Sequence, residues 1–372
     1  MNGRTLLLIL VIFLTTILCS AVPAKAMTPP CGPEFPASGP GAISYPHAAV
    51  DARQIGVGEE KFFLFQPAQP APASAPVLVF LHGWFATDPE YYRGWIDHLC
   101  RSGRIVIFPC FDAAGEPFKR YMDNAVRSVK EAFRFLYDHK RMLPDRDFFG
   151  VIGHECGAVL AANFASTARA YKLPVPGALF LIEPSRRPGG AEGSGLDVSD
   201  LSGIPASTRL VITVGEDDRM NGADTAREFF YAADNVPVSH KNFLTMLTDL
   251  HGTPALVADH LAPYAPIEPS FRRAIERRHL EFVGTWRSRD PVIARAVRTF
   301  GIDAMDVLGL WRVFDELWAA AYTGGDGQGA LNEYEPSVEG NSKRVRVGKS
   351  VRFMGVWSDG KPIRGFLATK RP

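Results

Sequence analysis

The sequence predicts an α/β fold in which helices cover both faces of a mostly parallel central sheet, followed by a C-terminal helical and extended extension. Two observations predict this class. Several short runs are apolar at every position, such as residues 77–81, and such runs are typical of strands buried on both faces. They alternate along the chain with amphipathic helical patterns, such as residues 121–140, and this alternation is typical of a parallel sheet.

The alternation divides the chain into elements and regions. The predicted strands are residues 61–66, 77–81, 105–108, 148–152, 178–182, 210–214 and 242–247. The predicted helices are residues 89–101, 121–140, 159–171, 223–233 and 307–321. The predicted regions are a signal peptide at 1–26, an exposed lead-in at 27–60, the α/β domain at 61–263, and a C-terminal segment packed on that domain at 264–372.

The first residues have the pattern of a secretory signal peptide. Arg4 precedes an apolar or hydroxyl run at residues 5–19, and residues 24–26 read Ala-Lys-Ala, a small-x-small cleavage pattern. The run is shorter than the roughly 20 apolar residues that a membrane-spanning helix needs. We therefore expect cleavage after Ala26, a periplasmic or extracellular location, and no stable membrane anchor in the mature protein.

The charge balance and the motif content exclude several classes of function. The chain has 41 basic and 40 acidic side chains, whereas a protein that coats nucleic acid normally has a strongly basic face, so no nucleic-acid partner is expected. No Gly-rich phosphate loop and no closely spaced His or Cys pair accompanies the candidate site, so neither a cofactor nor a metal is expected. The expected partner is a small-molecule substrate or ligand.

The first indication of a catalytic site is the segment at residues 153–157. It reads Gly-His-Glu-Cys-Gly and lies between a predicted strand and a predicted helix. This is the form G-x-nucleophile-x-G, a sharp turn that presents a nucleophile above the carboxyl ends of a parallel sheet. The segment resembles the nucleophile elbow of the α/β-hydrolase superfamily, especially its secreted esterase, dienelactone-hydrolase and polyester-hydrolase-like branches. The resemblance implies an α/β-hydrolase fold, but Glu155 stands where those enzymes have serine.

The resemblance implies further site residues in the chain order nucleophile, acid, histidine. Asp218, three residues after Gly215, matches the position of the acid, with Asp217 as its nearest rival, and His251 matches the histidine after the last strand. The backbone N–H groups of Trp84 and Cys156 match the oxyanion hole, which stabilises negative charge in the transition state.

Other histidines are given structural roles. His260 lies in a helical-looking run and is expected to pack or to cap a helix, and His154 and His82 are expected to support their turns. Aromatic residues near the hole, among them Trp84 and Phe85, favour an apolar or aromatic substrate.

Three hypotheses remain for Glu155, because a carboxylate has no proton to give to a histidine in the serine mechanism. In the first, Glu155 is the nucleophile of a hydrolase that cleaves an ester or related bond, as Asp is at this position in haloalkane dehalogenases and epoxide hydrolases. In the second, Glu155 occupies the oxyanion hole of a silent pseudo-hydrolase that acts as a binding module. In the third, Cys156 is the nucleophile, shifted by one residue.

Overall fold

The structure is a computed structural model, and it describes most of the chain after the predicted signal peptide. The described residues are 28–112, 117–187, 195–283, 301–322, 349–369 and 372. The signal-peptide prediction at residues 1–26 therefore lies outside the described residues. None of the helices within these ranges is both long enough and apolar enough to cross a membrane.

One mixed, mostly parallel sheet organises the described chain, as the sequence predicts. Its strands are β1 Ala49–Ile55, β2 Phe62–Ala68, β3 Ser74–Leu81, β4 Ile105–Pro109, β5 Leu143–His154, β6 Ala178–Ile182, β7 Arg209–Gly215, β8 Lys241–Met246, β9 Lys349–Arg352 and β10 Phe366–Thr369. Their order across the sheet is β1-β2-β4-β3-β5-β6-β7-β8-β10-β9. The six strands from β4 to β8 are parallel, and the strands outside them pair antiparallel.

Helices pack on both faces of this sheet. The helices in the described part of the chain are α1 Arg93–Arg101, α2 Tyr121–His139, α3 Cys156–Thr167, α4 Asp224–Ala232, α5 Pro269–Val283 and α6 Arg312–Tyr322, and a π-helix at Met305–Trp311 leads directly into α6. Helices α2, α3 and α4 share one apolar core with the sheet, and α1, α6 and the π-helix share the other. Along β3, Val77 and Val79 enter the first core and Leu78 and Phe80 the second, because successive side chains of a strand point to opposite faces.

Both ends of the described chain contribute to the sheet. Strand β1 lies inside the lead-in that the sequence predicts to be exposed, and it pairs with β2 along all seven of its residues. The C-terminal segment supplies β9 and β10, and β10 pairs with β8. Neither end has the long apolar run of the central strands, so the sequence pattern alone does not reveal these edge pairings. All four described cysteines are unpaired.

Candidate active site at the carboxyl ends of the strands

A sharp turn joins β5 to α3 and places Glu155 at its apex. Glu155 has φ 53° and ψ −117°, a left-handed conformation that residues with a side chain rarely adopt. The flanking glycines are required, since a Cβ at Gly153 would overlap the Gly157 carbonyl and a Cβ at Gly157 would overlap the Leu81 carbonyl. The backbone therefore has the form that the G-x-nucleophile-x-G pattern predicts, with strain concentrated at the central residue.

The Glu155 carboxylate is buried, with 2% of the residue exposed, and its two oxygens face different groups. Oε2 accepts a hydrogen bond of 2.6 Å from the Trp84 N–H, in the loop that follows β3. Oε1 lies 3.8 Å from Nε2 of His260. Cys156 is the first residue of α3, so its N–H is among the first-turn donors that no intrahelical carbonyl accepts.

Asp218 lies where the resemblance expects the acid, just beyond the end of β7, and it faces His260. Asp218 Oδ2 is 3.5 Å from His260 Nδ1, while Oδ1 accepts the N–H groups of Met220 and Asn221 at 2.9 and 3.2 Å. Burial alone would lower the pKa of His260, but the hydrogen bond to Asp218 and the negative charges of Glu155 and Asp218 outweigh burial, so the pKa is raised above 6.5.

His251, the histidine that the resemblance selects, lies elsewhere. Its Nε2 is 2.7 Å from Asp359 Oδ2, and its backbone N–H binds Asp249 Oδ1. Asp249 also accepts the indole N–H of Trp357, so this turn is bound to the C-terminal segment. The structure thus brings Glu155 and Asp218 to His260 and leaves His251 paired with the tail, because the chain after β8 turns back toward β7 before it reaches residue 260.

That return path corrects the sequence interpretation of His260. Residues 255–261 form a loop where the sequence favours a helix. The carbonyl of Ala258 accepts the Asp217 N–H at 3.0 Å, and the Ala258 N–H binds Thr248 Oγ1 at 3.0 Å, which fixes the loop beside the end of β7. The contact between Ala258 and Asp217 joins residues 41 positions apart, so a single sequence carries no local signal for it. The one available signal is that a second histidine follows the last predicted strand.

Glu183 is a site residue that the sequence analysis missed. It follows β6 directly, has φ 50°, and is completely buried. Its Oε2 lies 3.4 Å from His154 Nε2 and 3.7 Å from His260 Nδ1. An available signal was its position, since an acidic residue follows a five-residue apolar strand at the same edge of the sheet as the elbow.

His154 has both ring nitrogens engaged. Nε2 is 3.0 Å from the carbonyl oxygen of His260, which can only accept, so Nε2 carries the proton. Nδ1 lies 2.8 Å from the Tyr92 hydroxyl. Burial, together with the neighbouring His260, lowers its pKa well below 6.5. His154 is therefore a neutral supporting group, as expected.

Ligand atoms of His154, Glu183 and His260 lie within 4.8 Å of one another, close enough to bind one metal ion. A metal ligand must offer a lone pair, and the proton on His154 Nε2 occupies the nitrogen that faces Glu183. As arranged, His154 Nε2 lies nearer to the His260 carbonyl oxygen, at 3.0 Å, than to Glu183 Oε2, at 3.4 Å.

Cys156 does not present its thiol to the site. The residue is completely buried in the first apolar core, with Sγ 3.8 Å from the His82 carbonyl oxygen. Burial raises the pKa of this thiol well above its usual value, which disfavours the reactive thiolate. The geometry therefore does not favour the hypothesis that Cys156 is the nucleophile.

A second histidine–carboxylate pair connects the loop that carries the Trp84 donor to the segment that follows β4. His82 stacks on Phe111 with ring centroids 4.3 Å apart, and its Nε2 is 3.8 Å from Asp112 Oδ1. Asp112 Oδ2 accepts the N–H of Phe85 at 2.6 Å. Burial lowers the pKa of His82 and raises that of Asp112. This pair fixes the residue next to Trp84.

Comparison with known proteins adds nothing to these assignments, because neither a scan against protein-family models nor a search of curated proteins finds a match for this chain.

Proposed function

We propose that this chain is an exported α/β-hydrolase-type enzyme that hydrolyses an ester or related bond in a small apolar or aromatic substrate, with Glu155 as a covalent nucleophile. The observation that carries the proposal is the two-sided contact of the Glu155 carboxylate. Oε2 receives the Trp84 N–H, and Oε1 faces His260, which in turn contacts Asp218. This is the triad arrangement, with a nucleophile that starts as an anion.

In the first step, Oε1 attacks the alkyl carbon of the substrate, and the leaving group departs with the electrons of the broken bond. The product of this step is an ester of Glu155 whose carbonyl oxygen is Oε2. Because Oε2 already accepts the Trp84 N–H, that carbonyl is polarised where it forms.

In the second step, water attacks Cδ of the Glu155 ester, and Nε2 of His260 takes the proton from this water. Negative charge develops on Oε2 and is stabilised by the Trp84 donor. The tetrahedral intermediate then expels the alcohol, which carries Oε1 away and takes the proton back from His260. This leaves Glu155 as a carboxylic acid with one oxygen from water, and the acid releases its remaining proton to solvent, which regenerates the carboxylate. Asp218 holds the imidazole ring throughout.

The proposed substrate class is supported by the residue after the Trp84 donor. Phe85 is 56% exposed although it is apolar, and its φ of 58° holds it in the left-handed region. Its ring lies 4.4 Å from that of Trp84, which forms an aromatic surface beside the Glu155 carboxylate. Apolar and aromatic surfaces next to a few polar groups are typical of small-molecule sites.

A second candidate function is a binding module on a silent hydrolase scaffold. The observation that favours it is that Glu155 is 2% exposed and already takes the Trp84 N–H, the donor that a substrate oxyanion would otherwise use. In that case the donor serves to hold the protein's own carboxylate and has no part in turnover.

The two candidates are separated by trapping. The mature protein and its His260→Ala variant are incubated with a panel of alkyl esters and haloalkanes, and peptide mass spectrometry follows Glu155. The enzyme proposal expects turnover by wild type and, in His260→Ala, accumulation of the substrate alkyl mass on Glu155. The matched control is His251→Ala, which removes a half-buried histidine paired with Asp359 and should retain activity. A silent wild type whose Glu155→Ser variant gains ester hydrolysis would instead support the binding module.

A further inference from the structure

Glu183 occupies a position between two histidines of the site. Its Oε2 is 3.4 Å from Nε2 of His154 and 3.7 Å from Nδ1 of His260. The backbone is shaped for this placement, since Glu183 adopts a left-handed φ of 50° and its N–H is bound to Thr213 O at 2.8 Å. A Cβ on Gly215 would lie 2.8 Å from Glu183 Oε1, so a glycine in the neighbouring strand leaves room for the carboxylate.

From His154, a chain of hydrogen bonds continues to the loop of the Trp84 donor. His154 carries its proton on Nε2, so Nδ1 accepts the hydroxyl proton of Tyr92 at 2.8 Å. The Tyr92 oxygen in turn accepts the N–H of Gly83 at 2.9 Å. Gly83 directly precedes Trp84, whose N–H binds Glu155.

On its other side, Glu183 faces His260, which several ionisable groups surround. Ionisable groups that face His260 come from the end of β5, the end of β6, the end of β7 and its own loop: His154, Glu155, Glu183, Asp218 and Asp259. Asp218 also accepts hydrogen bonds from two backbone N–H groups at Oδ1, so His260 is not the sole partner of its negative charge. A second carboxylate near Nδ1 therefore adds to the field that holds the His260 ring and its proton.

We propose that Glu183 is a positioning residue that serves both halves of the site, holding His260 directly and the Trp84 donor through His154 and Tyr92. The inference rests on the proposed function only in giving His260 and Trp84 their catalytic roles. The contacts themselves do not depend on turnover, so they are tested by spectroscopy on the resting protein.

The test uses ¹³C-histidine and ¹⁵N-tryptophan labels in the mature protein, with single substitutions to assign the signals of His260 and Trp84. Glu183→Gln should lower the His260 pKa, since it replaces a carboxyl group 3.7 Å from Nδ1 by an amide, and should also move the Trp84 backbone amide signal. Asp218→Asn should lower the His260 pKa and leave the Trp84 amide in place. Tyr92→Phe should leave the His260 pKa unchanged and move the Trp84 amide signal, because it removes only the hydroxyl that links His154 to Gly83.

The matched control is Glu216→Gln, which removes an acid at the end of β7 that binds Thr248 and Arg364 and does not contact His260. It should change neither readout. If Glu183→Gln leaves the His260 pKa or the Trp84 amide unchanged, the proposed double role is wrong.

A measurement on the wild type tests the inference even if a variant fails to fold. Long-range ¹H–¹⁵N histidine spectra should show neutral His154 protonated at Nε2, and the Nδ1 tautomer would break the hydrogen-bond path and overturn the inference. If these spectral results hold while the substrate panel shows no turnover and no adduct on Glu155, the positioning role stands and the proposed function fails.

Discussion

Two buried histidine–carboxylate pairs serve this site, and they differ in the number of negative groups around the ring. His260 faces Asp218, Glu183 and Glu155 within 3.8 Å, and its pKa is raised. His82 faces Asp112 at 3.8 Å, and burial lowers its pKa. Both rings are nearly inaccessible to water, so burial alone does not decide which histidine holds a proton. The local count of carboxylates and hydrogen bonds decides it.

This difference in surroundings gives the two histidines different roles, proton exchange for His260 and structural support for His82. His260 can exchange a proton at Nε2, which faces Glu155. His82 carries its proton on Nδ1, 2.7 Å from the Gly83 carbonyl oxygen, and its ring stacks on two phenylalanines. We therefore expect His260 to control rate and His82 to control stability.

Exchanging the two histidines for alanine should give the largest contrast. His260→Ala should reduce turnover by about 10²–10⁴-fold, the usual contribution of a general base. At pH 9, where the charge of His260 contributes least to folding, its free energy of unfolding should change less than that of His82→Ala. His82→Ala should lower the free energy of unfolding by about 2–5 kcal/mol, because it leaves a cavity between packed rings. Urea denaturation and initial rates on the same preparations measure both effects. Equal losses of stability in the two variants would contradict the division of roles.

The pH dependence of turnover should follow His260. As a base, His260 must be neutral, and its pKa in the folded protein is raised, so the rate should increase with pH through a midpoint above 6.5 and then level off. Asp218→Asn should move this midpoint to lower pH. Rates measured from pH 5 to 9 check the direction, and a midpoint below 6.5 in wild type would contradict it.

The contribution of His260 to the free energy of unfolding should decrease as pH rises, whereas the rate of turnover increases. Because the pKa of His260 is raised on folding, its stabilising contribution is fully present below the unfolded value of about 6.5. That contribution is lost as pH rises through the folded pKa. Urea midpoints of wild type and His260→Gln should differ more at pH 5.5 than at pH 9. A constant difference would show that the His260 charge does not contribute to folding.

Replacing the two acids by their amides sharpens the comparison. Asp112→Asn should keep wild-type stability at pH 7 or exceed it by up to about 1 kcal/mol, since burial disfavours the charge of Asp112. Its amide can still accept the Phe85 N–H and can donate to His82 Nε2, which faces it. Asp218→Asn should instead lower the free energy of unfolding, because it removes the negative charge that stabilises protonated His260. Thermal melts of both variants at pH 7 give the order, and the reverse order would contradict this account.

The smallest effect is expected at Phe85. Phe85→Gly should raise the free energy of unfolding by up to about 1 kcal/mol, since glycine tolerates its left-handed φ without strain. The same change should raise KM for aromatic substrates and leave kcat nearly unchanged, because the exposed ring contributes binding and not chemistry. An unchanged KM would show that this ring does not contact substrate.

The parts of the fold with local signals could be predicted from the sequence. The predicted strand at 178–182 coincides with β6, and the elbow glycines locate the turn at Glu155, because apolar runs and glycine turns depend on nearby residues. Asp218 was named from the resemblance, which counts three residues from the glycine that ends β7, and it lies beside His260.

The parts that depend on distant contacts could not be predicted. His260 was assigned a packing role because its neighbours resemble a helix, whereas the structure folds that loop back to β7 through Ala258 and Asp217. Strand β10 pairs with β8 across more than 100 residues of sequence, and its four residues alone give no sign of a partner. Glu183 was missed because its role comes from two histidines that are far from it in sequence and near it in space.

The most direct test of the central claim, that Glu155 is a covalent nucleophile, is a single turnover in H₂¹⁸O with enzyme in excess over an alkyl ester of the substrate panel. A covalent Glu155 ester opened by water at Cδ predicts that one ¹⁸O atom enters the Glu155 carboxylate and that the alcohol product remains unlabelled. Label in the first-turnover products with no label on Glu155 would contradict the claim, since water would then have attacked the substrate directly.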